Sequence, residues 1–457
     1  MAGIGFELRK LLKKRSYAGL LQAYFYAGMI GAGPWILSIV GILFIGILSL
    51  GVVIPDILIS QFQVTVTYLI MGSLILTGFV QLAFTRFVAD RLFVKDDEAI
   101  LPNFNGLLLV VCALATAVSL PLAALFFPGQ TALYRSLLIM GLAVMSSIWV
   151  ATIFLTGLKH YKAIVLIFAI GYGVTVVLAL MLRRWLQMEG LLLGFVLGQF
   201  VLLAGMLWLI YRTYRASRLV AFDIWRPKQM YRSLMATGLL INLGVWLDKL
   251  MFWYHPATGH PVIGLFHASV IYDFPIFLAY LSVIPGMAVF LVRLETDFVE
   301  YYGKFYDAVR EGATLDYIER MRNQMVYYAR RGLLDIAKIQ GIAVLVVFLL
   351  GADLLRWLGI STLYLPLLYV DVVGAALQVL FLGIANVLYY LDERKAVLGL
   401  CVVLTLANAL LTALSLAGGA AWFGYGFAGA MALAVVVGLA QLDRKFEKLE
   451  YKTFMLQ

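Results

Sequence analysis

The chain has 457 residues, of which 63% are hydrophobic and 13% charged, and its mean hydropathy is +0.95. A water-soluble domain of this length is about a quarter charged, so a chain devoted to soluble chemistry is excluded. The net charge of +10 suggests an acidic partner such as nucleic acid, but the charge is distributed in a membrane pattern, and that reading takes precedence.

Residues 1–19 open the chain with Arg9, Lys10, Lys13, Lys14 and Arg15, while Ile4, Leu8, Leu11 and Leu12 share one helical face. This pattern predicts a short basic amphipathic helix on the cytosolic membrane surface. The run that follows is too long for a cleaved signal peptide. A spanning helix needs about 20 mostly apolar residues. Such runs fall at 20–48, 60–85, 104–127, 133–157, 163–182 and 190–211, and again at 233–254, 265–292, 334–352, 364–390, 396–416 and 421–441. Period-2 alternation is absent, so the spans are helices and not barrel strands. Of the 35 Lys and Arg, only Arg135, Arg183, Arg184, Lys249 and Arg356 fall outside the gaps on one side. That asymmetry places both termini, including the tail 442–457, in the cytosol. Cys112 and Cys401 sit inside spans and imply no disulfide framework.

The basic gap 212–232 divides the spans into a bundle at 20–211 and a bundle at 233–441. Three weak matches relate the halves: Gly33-Pro34-Trp35 with Gly244-Val245-Trp246, Arg86…Asp90 with Arg293…Asp297, and Lys162-Ala163 with Lys395-Ala396. They favour two parallel repeats. The expected fold class is an all-α membrane protein with about twelve transmembrane helices. These form two six-helix bundles related by a pseudo-two-fold axis along the membrane normal. The cytosolic segment 293–338 carries Phe298, Tyr301, Tyr302, Phe305 and Val309, then Ile318, Met321, Met325 and Tyr328, at helical spacing on either side of Gly312. Two amphipathic helices are expected there, either hugging the membrane surface or docking a partner.

Ionisable and polar groups inside spans are expensive and mark function by default. The transport-cavity or coupling candidates are Asp248, Lys249, Asp273, Asp371, Asn242 and Asn386, with Asn408, Gln199 and Gln378 as further polar points. Asp248 and Lys249 are adjacent, so they point about 100° apart and are not expected to pair simply with each other. A span-end pair reaching the outer interface is the alternative. Kink or hinge candidates are Gly31, Gly33, Pro34, Pro275 and Pro285, since proline removes a ladder donor. The pairs Arg86–Asp90 and Arg293–Asp297 are candidates for a cytosolic gate, or else are local helix pairs. His255, His260 and His267 lie in an outer loop with Pro256, Gly259 and Pro261; a turn explains them better than a metal site.

No Walker A sequence, nucleophile elbow or HExxH motif is present, and no soluble block suits a glycosyltransferase. An enzyme is not expected, and no cofactor or metal is implied. The opening Met1-Ala2-Gly3-Ile4-Gly5-Phe6-Glu7-Leu8-Arg9-Lys10, the Gly33-Pro34-Trp35-Ile36-Leu37-Ser38 turn, and the Thr85 to Phe93 stretch resemble the PelG family. So do Trp246-Leu247-Asp248-Lys249 and the run from Phe266 through Tyr272-Asp273 to Asp297. The resemblance implies the multidrug/oligosaccharidyl-lipid/polysaccharide flippase superfamily. It further implies export of the hexosamine-rich Pel exopolysaccharide across the bacterial inner membrane for biofilm matrix formation. The implied partners are a cytosolic glycosyltransferase and inner-membrane accessory proteins, one of which senses cyclic di-GMP. An ion-coupled exporter of small cationic compounds, and a scaffold for a synthase that does not itself transport, are the rival readings.

Overall fold

The computed structural model describes residues 33–50, 52–157, 161–214, 216, 218–226 and 230–455, together with 22, 24 and 26–28. The expected N-terminal amphipathic stretch 1–19 and the kink candidate Gly31 lie outside the described residues. The protein is helical, with one short β-hairpin among the described residues. Ten of the described helices are long and apolar enough to cross a membrane. One of the ten holds two of the expected spans, and a further helix of 17 residues begins at Gly33, so about twelve spans are accommodated. Large apolar side chains face outward along these helices, including Leu125, Val177, Phe200, Leu349, Leu406 and Val436. An exposed apolar surface of this kind is stable against lipid and not against water.

The chain divides into two compact units. One, the N unit, is Gly33–Trp246 with Trp253–Ser269. The other, the C unit, is Leu247–Phe252 and Val270–Gln457, joined by the described residues ahead of Gly33. There Ala27 packs on Ala288, Leu291 and Val292.

In the N unit, helix α1 is Gly33–Ser49, α2 Ile57–Phe93, α3 Ile100–Phe126, α4 Ala132–Gly157 and α5 Tyr161–Thr213; α6, Arg232–Tyr254, belongs to it as far as Trp246. The gap expected between spans 163–182 and 190–211 shrinks to one non-helical residue, Gln187, at φ 51° and ψ −125°. Its side-chain carbonyl accepts from the Ile54 amide at 3.2 Å. The two arms of α5 then pack as a tight hairpin. Gly190, Gly194 and Gly198, four residues apart, lie against Leu182, Ala179 and Thr175. Without side chains the backbones approach closely and gain dispersion contact, which is how helices associate where water provides no hydrophobic drive. Arg183, which breaches the charge pattern, acts locally. Its guanidinium donates to the Leu48 carbonyl and, at 3.2 Å, to Ser49 Oγ. A cation there complements the carbonyl end of α1. The basic stretch after α5 is pinned where described. Asn103 Oδ1 accepts from the Asp223 amide at 2.7 Å, and the Ala221 amide donates to the Pro102 carbonyl at 2.9 Å. The loop after α6 is an antiparallel hairpin of β1, His260–Ile263, and β2, Phe266–Ala268.

In the C unit, α7 is Val270–Leu281, α8 Ile284–Val292, α9 Val299–Arg310 and α10 Leu315–Trp357; α11 is Leu365–Tyr390, α12 Arg394–Gly418, α13 Tyr425–Glu447 and α14 Leu449–Met455. Of the kink candidates here, Pro285 lies in the first turn of α8, just after a break between α7 and α8. Gln340 of α10 covers it, donating to the Val283 carbonyl at 3.3 Å. Pro275 lies inside α7. A π-helical turn, Arg293–Phe298, links α8 to α9.

The segment 293–338 forms two helices on either side of Gly312, and they run on from the helices that precede and follow them. α9 and the start of α10 form an antiparallel hairpin that turns at Gly312, whose φ of 67° favours glycine. The predicted faces meet inside it: Phe305 and Ala308 are buried, as are Ile318, Met321 and Met325, and the Tyr301 ring stacks on Tyr328 at 4.4 Å. α10 then runs without interruption for 43 residues. At 1.5 Å per residue this is about 65 Å, roughly twice a bilayer core.

Replacing Gly194 by leucine should lower the detergent-solubilised melting temperature, since overpacking against backbone costs about 1–3 kcal/mol. Gly341→Leu, which enters open space, should not. Equal melting temperatures for both variants would contradict the close approach inside α5.

Candidate functional site

The last turns of α6 enter the C unit and carry Asp248 and Lys249, which are 0% and 3% exposed. Contrary to the expectation from helix geometry, they do pair: Lys249 Nζ donates to Asp248 Oδ2 at 3.0 Å and to Oδ1 at 3.3 Å. The two Cα–Cβ directions diverge, but the four-carbon lysine stem is long enough to fold its ammonium back.

The pair is completed from other helices. Tyr272 Oη of α7 donates to Asp248 Oδ2 at 2.6 Å, and Asn408 Nδ2 of α12 donates to Oδ1 at 3.2 Å. Thr412, one turn further along α12, donates to the Asn408 carbonyl oxygen at 2.9 Å and so orients that amide. The Lys249 ammonium lies 5.0 Å from the ring centroids of both Tyr280 and Phe427. Cation–π attraction is strongest in such desolvated places. Asp248 therefore has donors on both oxygens, and its charge is matched.

Asp371 is different. It sits on α11 with no exposure, and neither carboxyl oxygen has a hydrogen-bond partner. It lies within coulombic reach of Asp248 and Lys249. Gly424, at φ 83°, comes up against it, and any side chain there would meet Oδ1. Two buried carboxyls and one ammonium thus lie within electrostatic reach of one another, leaving one acid in excess. Burying an ionised carboxyl without a partner is prohibitive, so this arrangement is suited to taking up a proton or a small cation.

The other candidates do not join this cluster. Asp273 is half-buried in the first turn of α7, where a carboxylate suits the helix N-terminus. Asn242 donates to the Gly238 carbonyl one turn back, at 2.9 Å, on the part of α6 that belongs to the N unit. Asn386 donates to Glu295 Oε1 at 2.8 Å, and Tyr390 Oη to Oε2 at 2.7 Å. This third buried carboxylate, 3% exposed in the π-helical turn, is not among the expected site residues. Nor are Tyr272, Tyr280 and Phe427. A glutamate three residues beyond the apolar run Ile284–Val292 is the available clue to the first; the aromatics carry no charge to mark them. Arg86–Asp90 closes as an i,i+4 pair at 2.9 Å, and Tyr231 donates to Asp90. Arg293 contacts Asp297 at 3.0 Å and also Asp335 of α10 at 2.9 Å. Gly33 and Pro34 begin α1. Among the described residues, no three His, Cys, Asp or Glu are grouped as metal ligands. His267 Nδ1 instead lies 2.9 Å from the Leu265 carbonyl, within the β-hairpin.

Comparison with known proteins extends this picture. Three solved structures share the fold. A MOP superfamily transporter from Pyrococcus furiosus matches at TM-score 0.63 and 12% identity, covering 93% of this chain and 96% of its own. The MATE transporter VcmN of Vibrio cholerae in its bent form matches at 0.62 and 13% identity, covering 99% and 100%. A MATE protein in the bent conformation matches at 0.61 and 14% identity, covering 98% of both chains. At these identities the likeness concerns the fold alone. No curated protein matches. The profile of the PelG family, described as "Putative exopolysaccharide Exporter (EPS-E)", matches residues 1–454. The chain is a multi-pass membrane transporter and belongs to the PelG family.

Proposed function

We propose that this protein exports a hexosamine-rich exopolysaccharide, of the Pel type, from the cytosol to the periplasm across the bacterial inner membrane. The observation that carries the reading is the whole-chain match to an exopolysaccharide exporter family on a transporter fold. The distribution of Lys and Arg supports cytosolic termini. The protein itself is not an enzyme. A cytosolic glycosyltransferase makes the polymer, and inner-membrane accessory proteins, one sensing cyclic di-GMP, complete the assembly.

The C-unit cluster supplies the coupling. Asp371 takes up a proton or small cation, which neutralises the acid left in excess beside the Asp248–Lys249 pair. A change of charge in a buried space shifts the balance between helix arrangements that solvate it differently. The cytosolic hairpin of α9 and α10 is the docking surface for the glycosyltransferase. Its inner faces are packed, whereas Leu315, Tyr317 and Arg320 are exposed at its tip.

Asp371→Asn keeps the shape and removes the ionisable group. It should lower export at least about tenfold, a barrier change near ~1.4 kcal/mol, while the melting temperature stays unchanged or rises. Lys249→Met leaves Asp248 buried without its cation and should instead destabilise the protein by about 3–5 kcal/mol. The readouts are polymer recovered outside cells and thermal unfolding of the purified variants. Full export by Asp371→Asn would remove the coupling role while leaving the cargo open. Serine at Leu315, Tyr317 and Arg320 together should abolish co-purification of the glycosyltransferase with no change in melting temperature. Undiminished co-purification would place the docking surface elsewhere.

A further inference from the structure

On α10, where the hairpin passes into the apolar run, a cleft of about 680 Å³ is lined by Asn323, Tyr327, Arg330, Arg331, Leu334 and Lys338. At about 100° per residue these positions fall within an arc of roughly 100°, so they share one helical face. Leu334 is 59% exposed and the Lys338 side chain 73%. The same face continues up the helix. Ile342, Leu345 and Leu349 follow Arg330, Leu334 and Lys338 within an arc of about 120°, and Leu349 is 79% exposed. From Ile339 to Ala352 the helix carries no charge. A single outward stripe therefore changes from cationic to apolar along the helix.

We propose that this stripe is a binding site for an anionic glycerophospholipid: the cations hold its phosphodiester and the apolar continuation carries its acyl chains. The cations are arranged for such a ligand. Arg331 Nη1 donates to Tyr327 Oη at 2.9 Å, and its guanidinium lies 5.9 Å from that ring, which fixes the fork before a ligand arrives. Arg330 meets Asp443 at 2.9 Å, but both side chains are more than half exposed, and a pair so solvated is easily exchanged for a phosphate. Asp335, also at the cleft, faces Arg293 at 2.9 Å and is compensated there. Lys338 is 4.0 Å from Asp335, a loose contact from which its ammonium can reach outward. Charge complementarity selects the anionic lipid over a zwitterionic one, and the adjoining apolar stripe selects a lipid over a soluble anion.

The test uses the full-length protein. It is reconstituted in equal parts of phosphatidylglycerol and phosphatidylcholine and re-extracted in detergent, and its retained lipid is counted by native mass spectrometry. The wild type should retain phosphatidylglycerol in preference. Arg330→Gln, Arg331→Gln and Lys338→Gln should each reduce that preference about fivefold. The exchange of all three for the other basic residue should preserve it, which separates charge from folding. Glycerol phosphate in solution should not displace the lipid. Equal retention of the two lipids by the wild type would overturn the proposal. So would displacement by glycerol phosphate, or a second protein chain found on this face in place of lipid.

Discussion

The C unit is organised around a charge problem. Asp248 and Lys249 stand next to each other on α6, buried, and the polar atoms of the pair are served from other helices as well as by each other. Tyr272 and the Tyr280 ring of α7, Asn408 of α12 and the Phe427 ring of α13 converge on them. A buried ion pair stabilises little by itself, but removing one partner is strongly destabilising. The pair therefore specifies how α6, α7, α12 and α13 sit around it. Asp371 is the member left over, and an unmatched acid inside a membrane protein is a site where a single proton or cation changes the energy of the whole arrangement.

Around that centre the helices are held by shape. The glycines on one face of α5 bring its two arms into backbone contact; in the C unit Gly426 does the same against Thr412, and Gly374 leaves room for the Phe427 ring. Small residues at these seams replace the hydrophobic drive that lipid cannot provide. Gly426 is the immediate neighbour of Phe427, so packing and charge are fixed by the same stretch of α13.

Much of this is legible in the sequence because hydropathy and charge asymmetry are strong, additive signals over a span of about 20 residues. Every expected span has a helix, or part of one, among the described residues except where the first begins. The matched motifs Gly33-Pro34-Trp35 and Gly244-Val245-Trp246 lie at two of the four places where the chain passes between compact units, at 32/33 and 246/247. Asp248, Lys249 and Asp371 stand out as charges in apolar surroundings. Their mutual arrangement does not, because Tyr272, Asn408 and Phe427 are neutral and far away in sequence, and only the fold brings them together. Backbone directions mislead about the Asp248–Lys249 contact, because a flexible lysine overrides them. Gln187 hides the continuity of α5, since a reversal at a single residue with positive φ leaves no Gly or Pro mark. The 293–338 segment shows its two helical faces and the Gly312 turn in the sequence. Charge within it conceals that both helices run straight into spans.

The central claim is that this chain carries polymer across the membrane, and vesicle protection tests it most directly. The protein and the proposed cytosolic glycosyltransferase are placed together in proteoliposomes, nucleotide-sugar is supplied outside, and a polymer-degrading hydrolase is then added. The account predicts polymer that resists the hydrolase only when this protein is present. Polymer that is synthesised yet remains fully degradable would contradict it.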